Sequence, residues 1–291
     1  MSTDTLTGAK TDHAGGRSQR GKIQGKRKRN GEKRREKGCK RKENARARAA
    51  KRCKEKNKKT KTKEKKIQRG DFFQLFKTKT RFVRFAGCIF IGLPIWYAIG
   101  ILITFSPEFA KALSITGSVA AGDAVMFSYL GLAAGDLSSG FISQKIGSRK
   151  KVVAAYIFLT LLFILLYLFT PVKTAGFFYF NCFALGFGIG YWALFVTIAA
   201  EQFGTNLRST VATSVPNFIR GTVIPLTFLF KYLRDTFTGH YTPLIGELEA
   251  KNFGILYGAL TVGLCTIVIA FLALSVIDET YGRDLNFEET D

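Results

Sequence analysis

Residues 135–151 read GDLSSGFISQKIGSRKK, and the reading of this stretch decides the fold. Apolar runs flank it on both sides, at 119–141 and 152–171. A run of about 18 or more apolar residues is long enough to cross the ~30 Å hydrocarbon core of a bilayer as a helix. Between two such runs, the stretch is a tight turn. Gly140 and Gly147 allow close approach and a bend. Lys145, Arg149, Lys150 and Lys151 place that turn on the cytoplasmic side by the positive-inside rule. An ordinary cytoplasmic loop has the same composition, so composition alone goes no further.

Outward from this turn the chain shows the same pattern six times. The spacing predicts transmembrane helices over 83–105, 119–141, 152–171, 175–199, 211–233 and 252–277. Run length argues for helices, since barrel strands need only about 10 residues of alternating polarity. The expected fold class is an all-α polytopic membrane protein, with a basic arm at 1–70 and a six-helix domain at 71–291. Basic residues at the helix ends number ten on one side (Lys77, Lys79, Arg81, Arg84, Lys145, Arg149, Lys150, Lys151, Arg208, Arg283). On the other side there are five (Lys111, Lys173, Lys231, Arg234, Lys251). Both termini are therefore expected in the cytoplasm and the protein in the cell membrane, with no cleavable signal peptide. Five cysteines without metal-ligand spacing, and His13 and His240 on polar segments, give no metal site. No nucleophile motif, phosphate loop or soluble pair of carboxylates is present, so neither an enzyme nor a cofactor is expected.

The net charge of +23 comes from the arm. Residues 17–69 hold 27 of the 44 lysines and arginines and no Leu, Val or Phe. Such a segment buries no core and is expected to be disordered. Three readings of it stay open: contact with anionic lipid headgroups, binding of nucleic acid, or a segment without selected function joined to a membrane fragment. Nucleic acid ranks lowest, because no Phe, Tyr or Trp lies between Ser2 and Gly70 to stack on bases.

The order of residues in the turn says more than their composition. Gly140, Lys145, Gly147, Arg149 and Lys150 resemble the glycine–basic–glycine–arginine signature of the major facilitator superfamily, with Gln144 where the family has an acidic residue. EQFGTNLRST at 201–210 is similar to that family's glutamate–aromatic–proline–threonine–x–x–arginine loop, with Gly204 in place of the proline. DETYGRDLNFEE at 278–289 is similar to the sugar-porter ending. There Glu279, Thr280, Gly282 and Arg283 agree, and Asp278 and Tyr281 depart. The resemblance covers residues 70–291 and corresponds to the C-terminal six-helix half, family helices seven to twelve, of a sugar-porter or organic-ion-like member. It implies alternating access around a cavity between two halves.

One residue contradicts the apolar character of its run. Arg220 lies about nine residues into the fifth run, roughly 13 Å deep. An arginine there costs about 2.5–3.5 kcal/mol on insertion scales and usually faces a bundle interior or a wet cavity. Thr213, Asn217, Arg220 and Ile224 fall on one helical stripe, and Pro216 and Pro225 loosen the helix beside it. Two readings stay open. The resemblance implies an anion-coordinating arginine, whose guanidinium holds a carboxylate or phosphate with two parallel hydrogen bonds. The alternative is an ion pair with Asp136 of the second run. Further lining candidates are Trp96 and Tyr97 in the first run and Asn181 and Trp192 in the fourth, where Gly186 and Gly190 suit close helix packing. The resemblance also implies a charge network at the inner end. Its members are Asp136, Lys145, Arg149, Glu201 and Arg208, with Glu201 either latched to Arg149 as a gate or standing as a solvated helix-end charge.

These expectations describe a carrier, or part of one, for a small organic solute, expected to be anionic, with a second copy or a second half-transporter as partner. The competing expectation is a truncated, non-transporting membrane fragment or interaction module.

Overall fold

The computed structural model describes residues 72–282 and 286, and in the arm only Lys51, Arg52, Lys54 and Glu55, which are helical. The chain divides into two compact units, Met1–Ile67 and Gln68–Asp291, and the second carries the apolar runs. The disorder expected of the rest of the arm, and the motif residue Arg283, lie outside the described residues.

The second unit is built from helices. They are α1 (Gln74–Lys77), α2 (Lys79–Ile91), α3 (Leu93–Tyr97), a π-helical turn (Ala98–Ile103), α4 (Ser106–Ala112), α5 (Ala121–Ile146) and α6 (Arg149–Leu168). There follow α7 (Ala175–Gly188), α8 (Trp192–Glu201), α9 (Arg208–Gly221), α10 (Val223–Ile245) and α11 (Glu247–Val276). Among the described residues the only β-type pairing is an isolated bridge, Thr116 with Thr174, which joins two connections at one end of the bundle.

Five segments are long and apolar enough to cross a membrane: Lys79–Ile103, Ala121–Ile146, Arg149–Leu168, Ala175–Glu201 and Glu247–Val276. They cover the first, second, third, fourth and sixth runs read from the sequence. The fifth run, 211–233, differs. It is split between α9 and α10, which meet at Thr222, and neither meets the same measure of length and apolarity. Pro225 has no N–H to give the carbonyl of Gly221, and its ring crowds that turn. The Thr222 N–H closes the break onto Phe218 and Ile219 carbonyls at 3.2 and 3.0 Å. Beyond the apolar stretch, α10 continues through Arg234, Asp235 and Thr236 to Ile245, which dilutes its hydropathy.

Two other spans also break midway. In the first, Pro94 stands two residues after Gly92, where α2 gives way to α3, and the π turn follows. In the fourth, residues 189–191 separate α7 from α8. The packing of these pieces is set by small residues and tyrosines. Gly131 and Gly135 of α5 lie against the backbone of Phe183 and Phe187, while Gly186 and Gly190 lie against that of Ser128 and Gly135. No side chain separates α5 from α7 there, the close approach that small residues permit between membrane helices. Three buried hydroxyls then tie the first span to its neighbours. Tyr97 donates to Ala259 O at 2.6 Å, Tyr167 to Leu102 O at 2.8 Å, and Tyr191 to Ile91 O at 3.0 Å.

Candidate functional site

The breaks in the first, fourth and fifth spans are neighbours. Tyr191, at the α7–α8 break, reaches the last carbonyl of α2. Gly92, at the α2–α3 break, leaves room for the side chain of Ile219 in α9, and Gly100 does the same for Val223 in α10. Over this junction sits Arg220. Its guanidinium carbon is 5.7 Å from the centre of the Trp96 ring and 6.0 Å from that of Trp192. The two indoles meet edge to face, 6.1 Å apart. Both distances allow cation–π attraction, which strengthens where water is excluded. Three residues that the sequence named separately are thus one cluster, carried by α3, α8 and α9.

Arg220 lies on the outside of the helical bundle, over two half-buried indoles. Thr213, Asn217, Arg220 and Ile224 are all exposed, so the stripe read from the sequence exists but lines an open face rather than an interior groove. The lesser polar groups on it serve their own helix. The Asn217 amide donates to Thr213 O at 3.0 Å, and the Thr213 hydroxyl to Thr210 O at 3.1 Å. Arg220 sits twelve residues past the start of α9, about 18 Å along its axis. Among the described residues it has no ion-pair partner.

Asp136 has a different task from the one considered for it. Its carboxylate accepts the Ala193 N–H at 3.0 Å, in the first turn of α8. A carboxylate at a helix N-terminus satisfies an orphan donor and meets the positive end of the dipole. Asp136 therefore positions the helix that carries Trp192 and does not pair with Arg220. Tyr97 is fully buried and occupied by Ala259 O, so it turns away from the cluster. Asn181 is buried in α7, with neither amide atom bonded to protein among the described residues, and it does not join the cluster. The Trp96 indole N–H is also without an acceptor there.

At one end of the bundle the three loop motifs converge. Arg149 forms an ion pair with Glu201, which is 10% exposed, as the sequence suggested. The motif after α11 completes the arrangement in a way the sequence reading did not assign. Glu279 accepts from the Ser148 hydroxyl, from the Arg149 N–H at 3.1 Å and from the Lys150 N–H at 3.2 Å. It thereby caps α6. Lys150 reaches back to Ile277 O at 2.7 Å, and the Gln202 amide donates to Asp278 O at 2.6 Å. Partial burial works to raise the Glu279 carboxyl. The bonds from Ser148 and from the N–H groups of Tyr281, Lys150 and Arg149 together outweigh it and hold the group below the usual glutamate range. Glu279 was visible as a motif residue, but nothing in its spacing pointed to the amides of α6. Lys145 is exposed nearby, and Arg208 opens α9 half-buried.

Comparison with known proteins gives one match. The family model for the Major Facilitator Superfamily matches residues 31–224, more than half of the chain. No curated protein and no solved structure matches. Members of that family are secondary transporters of small solutes rather than enzymes. The matched segment begins within the basic arm and ends at Ile224, just beyond Arg220. The chain belongs to the major facilitator superfamily.

Proposed function

We propose that this chain is the C-terminal six-helix half of a secondary carrier for an organic anion, of the sugar-porter or organic-ion type, and that Arg220 holds the anionic group. The observation that carries the reading is the guanidinium poised over Trp96 and Trp192 with no carboxylate partner among the described residues. A buried or membrane-embedded cation needs an anion. Here the indoles lend attraction without neutralising the charge. Broken helices meeting around such a group are the usual architecture of transporter sites, because interrupted backbone at that depth is tolerated where it lines a cavity.

Exposure of the Thr213–Asn217–Arg220 stripe supports a second six-helix half, another chain or another copy of this one, as the opposite wall. A charged face is too costly to leave in hydrocarbon. In this reading α9 and α10 together make the sixth crossing. The Arg149–Glu201–Glu279 lock closes one end of the path, the two termini lie in the cytoplasm at the cell membrane, and residues 17–69 rest on anionic headgroups. The test is uptake of labelled carboxylates into proteoliposomes, compared with labelled ammonium solutes. The proposal expects saturable uptake of a carboxylate, lost in Arg220→Ala. Uptake unchanged in that variant removes the role given to Arg220.

A further inference from the structure

Away from Arg220, an open cavity of about 630 Å³ lies between the start of α6 and the last turns of α11. Its rim carries Ser148, Lys150 and Lys151, and its wall is Ala154, Phe271 and Leu274. The charges on the rim differ in how far they are committed. Lys150 is tied to Ile277 O, and Glu279, which also borders the cavity, is held by Ser148 and the α6 amides. The Lys151 side chain is exposed and has no ion-pair partner among the described residues. Arg149–Leu168 and Glu247–Val276 are both candidate spans, so the cavity opens where two spans end. Phe271 lies five residues before Val276, which takes the apolar wall about 8 Å inward along the helix.

A free cation at headgroup level above an apolar wall matches a molecule with an anionic head and a hydrocarbon tail. Basic pockets between membrane helices recognise lipids of this kind. We propose that this cavity holds one anionic phospholipid from the surrounding bilayer, with its phosphate on Lys151 and its acyl chain along Phe271, Leu274 and Ala154. A free inorganic anion would use the lysine but not the wall. The lipid borders Lys150 and Glu279, so it braces the lock that joins α6 to the segment after α11.

The test uses the full chain in phosphatidylcholine vesicles containing a phosphatidylglycerol photoprobe with a diazirine on its acyl chain, followed by mapping of the adducts. Mapping reads position, so lipid held by the basic arm does not enter. The expected result is labelling of the segments around Ala154 and Phe271, above that given by a phosphatidylcholine photoprobe. Lys151→Gln should reduce it about five-fold, the effect of one surface cation on an anionic lipid. Lys173→Gln, at the opposite end of the bundle, should leave it unchanged. Equal labelling by the two probes, or equal effects of the two substitutions, overturns the proposal. Loss of labelling on adding excess inorganic phosphate overturns it in favour of a free-anion site.

Discussion

At the scale of single residues, two charges inside the apolar part have opposite fates, and geometry separates them. Asp136 spends its carboxylate on a backbone N–H of α8. Asp136→Asn keeps an acceptor there and loses only the charge at the helix end, so it is expected to lower thermal stability in detergent by less than Asp136→Ala does. Asp136→Ala removes it and should cost about 1.5 kcal/mol, in the range for a hydrogen bond to a charged group. A drop in Asp136→Asn equal to that in Asp136→Ala would mean that the negative charge itself matters. Among the described residues, Arg220 spends its charge on two ring faces and on no carboxylate. Arg220→Lys retains the charge, loses the planar fork and stacks less well. Carboxylate uptake in proteoliposomes is therefore expected to fall about ten-fold, the loss of one charge-assisted hydrogen bond. Glu279 shows what residue-level reading misses. Its type and place were evident, but its partners are backbone amides 130 residues away, and amides leave no mark in a sequence.

At the scale of elements, the apolar runs were legible because a bilayer-spanning helix is specified by length and composition alone. The runs at 83–105, 119–141, 152–171, 175–199 and 252–277 each became a helical span, with ends displaced because helix continues into flanking polar residues such as Lys79 and Glu247. The fifth run was legible as apolar but not as two pieces. Pro216 and Pro225 both stood out, yet only Pro225 coincides with a break, since α9 runs through Pro216. Pro225→Ala restores the N–H that the Gly221 carbonyl lacks. The expected outcome is a straighter α9–α10, read as a longer and narrower distance distribution between spin labels at Thr213 and Phe228. An unchanged distribution would assign the break to packing of Gly92 and Gly100 against this helix.

At the scale of the whole molecule, the lock is the feature that joins distant parts. Its central carboxyl, Glu279, titrates below the usual glutamate range in the folded state because of the donors around it. A group with a depressed folded value stabilises the fold above its unfolded value, about 4.3 for glutamate. That stabilisation is lost as pH falls through the folded value. Thermal midpoints in detergent should therefore decline more steeply below about pH 4.3 in the parent than in Glu279→Gln. Equal slopes would show that the carboxylate adds nothing to the tie. The order of the three loop motifs made the family legible, and with it the Arg149–Glu201 pair. The exposed setting of Arg220 was not legible, because a helical stripe says which residues share a face and not what that face looks upon.

The central claim is that the Arg220 face looks onto water and solute rather than lipid. The direct measurement places a cysteine at Asn217, one turn from the intact Arg220, in a chain whose own five cysteines are replaced. In vesicles this thiol is predicted to react with a charged, water-soluble thiosulfonate reagent, and to be protected by the carboxylate solute. Reaction only with a lipid-soluble maleimide, with no protection by solute, would contradict the account.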